Sequence, residues 1–184
     1  MRLSLEERRG LRQQVERVLH VPGNYTGGIL EMALVVDCRL SETEVKETAA
    51  ELAKLLKQQS PVFRNVRLNL VEWRPDEKLK SRVTPMSLLM LGSFAEDYRR
   101  STGDLSADDL FSYLKLFQAR SKLILVLSAG DVKIRREALC RDACRPFLGR
   151  KLIWLAQGEE PVMNGFLRAE RWCCLELKGC GKES

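Results

Sequence analysis

The sequence predicts an α/β fold: an open, doubly wound, mostly parallel sheet with helices on both faces and one antiparallel edge strand. Three observations point there. The strand candidates Ile29–Val36, Leu123–Leu127 and Lys151–Ala156 are nearly continuous apolar runs, the pattern of strands covered on both faces. They alternate with segments of helical periodicity, which argues for parallel strands joined by crossover helices. One pair of short strand candidates, Val66–Trp73 and Leu79–Thr84, is joined by the turn Arg74-Pro75-Asp76-Glu77 and reads as a hairpin.

Taken in order, Ser4 to Leu19 carries Leu5, Leu11, Val15, Val18 and Leu19 near helical spacing and reads as an amphipathic helix. Pro22, Gly23, Gly27 and Gly28 break the chain before the first strand, so residues 1–28 are expected to form a helix and linker ahead of an α/β body over residues 29–184. Ser41-Glu42-Thr43-Glu44 is a capping box, serine followed three residues later by an acid, and Val45, Ala49, Leu52 and Leu56 continue a helix to about Gln58. Ser60-Pro61 ends it. After the hairpin, Thr84-Pro85 resembles a cap with proline at the first helical position, and Leu88, Leu91, Ala95 and Tyr98 form the stripe of the next helix. Ser106 and Asp109 repeat the serine–acid cap ahead of Leu110, Leu114 and Phe117. The turn Ser128-Ala129-Gly130-Asp131 leaves the strongest strand, with Asp131 as the cap of a helix reaching about Arg145. Trp172–Leu177 is the candidate for a last edge strand.

Composition narrows the function classes. With 184 residues and 45% hydrophobic content, the chain suits one compact domain that needs no covalent staples. The net charge of +6 is mild, basic and acidic residues are interleaved, and no aromatic–basic signature appears, so nucleic acid is not the expected partner. The charged start, Met1 to Arg9, is unlike a secretory signal, and no apolar run approaches the roughly 20 residues that cross a bilayer. A cytoplasmic location and no membrane partner are expected. Asn24-Tyr25-Thr26 matches a glycosylation acceptor, but without an export signal it reads as accidental. The six cysteines are then expected as thiols. None has the CxxC spacing of a zinc ribbon, His20 is the only histidine, and no metal is expected among them.

The most informative stretch is Leu34-Val35-Val36-Asp37-Cys38-Arg39-Leu40-Ser41. An apolar strand ends in an acid, and four residues later a serine opens a helix. In an open α/β sheet this junction lies at the carboxyl edge, where ligands bind. It contains no glycine, so neither a dinucleotide fingerprint nor a phosphate-binding loop follows the first strand, and no Gly-x-Ser-x-Gly elbow occurs in the chain. No cofactor is expected. Cys38 lies near a helix N-terminus, which favours a thiolate, but a nucleophile needs an oriented base and none is evident.

This order of elements resembles the von Willebrand factor A domain: strand, Asp-x-x-x-Ser, long helix, hairpin, helix, Thr-Gly-Asp-Leu loop, helix, strong strand, Ser-Ala-Gly turn. The likeness covers roughly Glu31 to Leu177. It implies a doubly wound sheet whose carboxyl edge bears a metal-ion-dependent adhesion site, built from Asp-x-Ser-x-Ser, a loop threonine and a Thr-Asp-Gly aspartate. On those positions this chain has Asp37 and Ser41, with Arg39 where the first serine belongs. Thr102 or Gly103 takes the threonine position. Ser128-Ala129-Gly130 takes the place of Thr-Asp-Gly, with Ala129 replacing the acid. Two of the oxygen donors a hard cation requires are therefore replaced. A fixed guanidinium two residues from Asp37 can stand in for the cation, so an Asp37–Arg39 ion pair is expected and a bound metal is not.

Read together, these features describe a non-enzymatic, cytoplasmic protein-interaction or scaffold domain with a degenerate adhesion site and another protein as its partner. A magnesium-dependent phosphoryl-transfer enzyme of another α/β family would instead bring Asp37 together with Asp104 or Asp131 above the sheet. A basic nucleic-acid-binding protein would gather its arginines on one face.

Overall fold

The computed structural model describes residues 5–19, 29–58, 65–84, 98–117, 121, 123–128, 132–145, 152–157 and 173–177. Its helices are α1 (Leu5–Leu19), α2 (Glu42–Gln58), α3 (Ala107–Leu114, continued by one 3-10 turn, Lys115–Phe117) and α4 (Glu137–Cys144). The strands are β1 (Ile29–Asp37), β2 (Asn65–Trp73), β3 (Lys80–Thr84), β4 (Leu123–Ser128), β5 (Leu152–Gln157) and β6 (Cys173–Leu177).

They form one six-stranded sheet in the order β3-β2-β1-β4-β5-β6. β1 pairs in parallel with β2 and with β4, β4 with β5, and β5 with β6, whereas β3 is antiparallel to β2. The expected architecture of a doubly wound sheet with one antiparallel edge strand is present. The direction of winding reverses at β1: the chain first moves outward to β2 and β3, then returns to β4 on the other side. The point between β1 and β4 is therefore the switch point of the sheet, where the crevice above the carboxyl ends opens. Asp37 and Ser128, the last residues of those two strands, flank it.

Alternation along the strands splits the core. Ala33 and Val35 of β1, Val71 and Trp73 of β2, Ile124 and Val126 of β4, and Leu152 and Trp154 of β5 face one way. They pack with Leu110, Phe111 and Leu114 of α3 and Cys140 and Ala143 of α4. Residues of the other parity, among them Met32, Leu34, Leu68, Leu70 and Leu125, are equally buried, as are Val45, Ala49 and Leu52 of α2. Right-handed crossovers place α2, which leads outward to β2, on the opposite face from α4, which leads outward to β5. α1 lies against β4 and β6. No helix among the described residues is long and apolar enough to cross a membrane.

Three local expectations need correction or fall outside the described residues. The helix expected directly after the Ser128–Asp131 turn begins only at Glu137, with Arg136 at its N-cap position. Residues 132–136 are used otherwise: the Lys133 N–H donates to Leu105 O at 2.8 Å, Ala107 N–H donates to Lys133 O at 2.9 Å, and the N–H groups of Arg135 and Arg136 donate to Asp108 Oδ2 at 2.7 and 3.3 Å. A segment pinned to α3 cannot also wind into a helix, and Asp131 is too far upstream to cap α4. Ser106 does occupy the N-cap position of α3, but its Oγ makes no capping bond and turns to Asp108 Oδ2 at 3.4 Å. The helix expected after Thr84 falls on residues 85–97, outside the described residues, as do His20, Ala129 and Asp131; its last stripe residue, Tyr98, is described and stands outside any helix. Thr84 itself ends β3, with its buried Oγ1 lacking a hydrogen-bond partner among the described residues.

Candidate functional site at the carboxyl edge of the sheet

The apolar flanks of β1 carry Asp37 to the switch point and leave it fully buried. A carboxylate there is tolerable only when its oxygens are satisfied. Donors from Arg39 and Ser128 converge on it. The Arg39 backbone N–H and Nε donate to Oδ1 at 2.9 and 3.0 Å, and Arg39 Nη2 and Ser128 Oγ donate to Oδ2 at 2.8 and 3.2 Å. The bond from Arg39 N–H closes an Asx turn, and Leu40 N–H donates to Asp37 O at 3.1 Å. The expected Asp37–Arg39 ion pair is present, bidentate, with the Arg39 side chain only 10% exposed. Bidentate geometry is what a guanidinium provides and an ammonium does not.

The turn is held from outside by residues that the sequence did not single out for this edge. Tyr98 Oη donates to Leu40 O at 2.7 Å, Arg100 Nε donates to Arg39 O at 2.8 Å, and Ser101 N–H donates to Cys38 O at 2.7 Å. Arg74, just beyond β2, donates through Nη1 to Arg99 O at 2.6 Å and to Ser101 Oγ at 2.8 Å. Nothing in the local pattern marks these residues. They gather because parallel strands end on one edge, and the 98–104 loop crosses it.

The other described candidate positions, Ser41, Thr102 and Gly103, do not converge on Asp37. Ser41 Oγ accepts the Glu44 N–H at 3.2 Å, while Glu44 Oε2 accepts the Ser41 N–H at 2.9 Å, so the capping box forms as read and the hydroxyl serves α2. Thr102 and Gly103 lie exposed on the loop. Gly103 has φ +132, and a Cβ there would stand 2.8 Å from Pro75 Cβ; glycine lets the loop lie against the β2–β3 turn. Asp104 is exposed and pairs with Lys133 Nζ at 2.6 Å. That hydrogen bond and charge, with a smaller contribution from Arg39, hold its carboxyl below the usual range.

Cys38 is buried, with Sγ donating to Val36 O at 3.5 Å. Burial pushes its thiol up to about 12, opposed by Arg74 and helped by Glu72 and Asp37. It is a protonated, inert thiol at neutral pH, the reverse of an activated nucleophile. Burial, with the neighbouring Cys38 and Asp37, likewise raises the Tyr98 phenol.

These residues do not fit a divalent cation. Both Asp37 oxygens already accept N–H or O–H donors, the Ser41 hydroxyl is taken by α2, and a guanidinium occupies the electrostatic role. Among the described residues, no group of three or more His, Cys, Asp or Glu side chains could hold a metal ion. No protein-family model matches the sequence, and no curated protein matches it.

Proposed function

We propose that this chain is a non-enzymatic protein-interaction or scaffold domain of von Willebrand factor A type, working in the cytoplasm, in which an arginine has replaced the adhesion-site cation. The observation that carries this reading is the buried, bidentate Asp37–Arg39 pair at the switch point, with Ser128 as its third member. The strand order with its antiparallel β3 supports the resemblance. A site that once exchanged ligands through a metal becomes a fixed internal ion pair, and binding passes to the surrounding loops. The phosphoryl-transfer alternative draws no support from Asp104, whose carboxylate goes to Lys133.

The test compares the parent with Arg39→Ser, Ala129→Asp and the double variant, by calorimetry and thermal unfolding with and without magnesium. The parent gains nothing from magnesium, and the double variant binds it better than either single variant. Micromolar binding by the parent that vanishes in Asp37→Ala would overturn the reading of a replaced cation. So would four proteins that all ignore magnesium while Arg39→Ser melts like the parent. Cross-linking and affinity capture from the native cell test the interaction role; recurrent recovery of no partner at all would sink it.

A further inference from the structure

We propose that the cleft beside the Asp37–Arg39 edge docks a partner peptide that presents a large apolar side chain flanked by basic residues. The inference rests on the interaction reading above and says where and by what chemistry that partner is held. The cleft has a volume of about 690 Å³ and opens between the β2–β3 turn, the loop leading into α3, and α3 with its 3-10 extension. That volume lies within the range of ligand sites, ~300–1,000 Å³. Its walls include Trp73, Leu79, Leu105, Tyr113 and Leu116. Leu79 and Tyr113 are partly buried against the core and so are held in place. Leu116, at the lip, is 71% exposed. A leucine with so much surface in water beside a cleft is the part of the wall that gains most from being covered.

Charge selects the occupant. Most rim charges are already matched: Asp104 with Lys133 at 2.6 Å, Asp109 with Arg135 at 3.9 Å, and Arg74 with Glu72 at 3.9 Å as well as with the loop oxygens. Left on the rim are Asp76, Glu77 and Lys78, all exposed on the turn between β2 and β3. Two carboxylates against one ammonium leave that lip negative. Asp76 adopts the left-handed region, at φ 56, in the turn that carries both exposed acids. The cleft therefore combines an apolar wall with an acidic lip, complementary to an apolar residue with arginine or lysine beside it. The loop residues Asp104 and Leu105 connect it to the ion-pair edge, which positions the loop but contributes no contact of its own to the peptide.

The probe is the blocked peptide Gly-Arg-Trp-Leu-Arg-Gly, with one control in which glutamate replaces both arginines and another in which alanine replaces tryptophan and leucine. Binding to the full chain is followed by amide chemical shifts and by calorimetry. The arginine peptide binds with Kd below about 1 mM and shifts resonances around Leu79, Tyr113 and Leu116; both controls bind at least about tenfold more weakly. The variant Asp76→Lys with Glu77→Lys reverses the preference between the arginine and glutamate peptides, Leu116→Ser weakens the arginine peptide, and Val83→Ser, an exposed apolar residue on β3, leaves it unchanged. Shifts scattered over the surface, equal binding of all three peptides, or no reversal in the charge variant would overturn the proposal. Cleft shifts that follow protein concentration without peptide would overturn it in favour of a second copy of this chain. If the peptides fail while a partner captured from cells still binds the Asp76→Lys, Glu77→Lys variant, the cleft is wrong and the interaction reading stands. If the parent captures no partner, that reading falls separately.

Discussion

At the scale of single residues, Asp37 sets the character of the site. A buried carboxylate beside Val36, Trp73 and the β4 end is stable because Arg39 delivers three N–H donors and the matching charge. Removing Arg39 leaves an uncompensated buried charge, so Arg39→Ala is expected to lower unfolding free energy by about 3 kcal/mol, read from urea denaturation. Arg39→Lys recovers only part of this, because an ammonium cannot span both oxygens. Cys38, on the same turn, gives a pH signature. Its thiol titrates near 12 when folded and at an ordinary 9.0 when unfolded. The unfolded chain thus releases the proton first. The stability contributed by the neutral buried thiol is full below pH 9 and is lost as pH rises toward about 12. Cys38→Ala is expected to flatten the decline of the urea midpoint across that interval, and a slope identical to the parent's would refute the assignment.

Between residue and fold, helix starts decide where side chains go. The sequence has two serine–acid cap signals, and only one works as a cap. Ser41 and Glu44 satisfy each other's backbone N–H groups at the start of α2. Ser106, at the same position of α3, makes no such bond, because Asp108 lies nearby and is itself drawn to the backbone of residues 135 and 136. Ser41→Ala is therefore expected to cost about 1 kcal/mol and Ser106→Ala less than half of that, measured side by side in urea. Asp108→Ala is expected to cost more than Ser106→Ala, since it releases the segment that joins α3 to α4. Equal losses at the two serines would show that the caps are equivalent after all. The motif was legible in both places; which one closes depends on a tertiary neighbour that no local window contains.

Over the whole molecule, one face of the sheet is tied together by aromatic packing. Trp73 of β2 and Trp154 of β5 meet edge to face, with ring centroids 5.9 Å apart and planes at 89°, and Phe111 of α3 lies 6.3 Å from Trp154. Both indoles are buried, so their contact reaches across β1 and β4 over small and branched residues such as Ala33 and Val126. Coupled indoles in this geometry are expected to give an exciton signal in circular dichroism that disappears in Trp154→Phe. Its loss on heating is expected to coincide with the loss of helix signal, as one cooperative unit. An exciton transition well below the helix transition would instead mean that the α3–α4 face opens independently.

The sequence alone determined the class of fold and most of its strands, because burial on both faces writes a continuous apolar run and a hairpin writes alternation around a turn. It also determined that Asp37 stands at a strand end and that a guanidinium lies two residues beyond it, which was enough to expect their pairing. It resolved neither the late start of α4 nor the idle cap at Ser106, since both follow from contacts between α3 and the segment at 132–136. Nor could it gather Tyr98, Arg74, Arg100 and Ser101 around the 37–40 turn, or separate Ser41, Thr102 and Gly103 from Asp37. Spacing along the chain fixes which face a residue occupies. Which residues from distant segments meet at one edge is fixed by strand order and by the path of the loop across it, and only the tertiary structure supplies those.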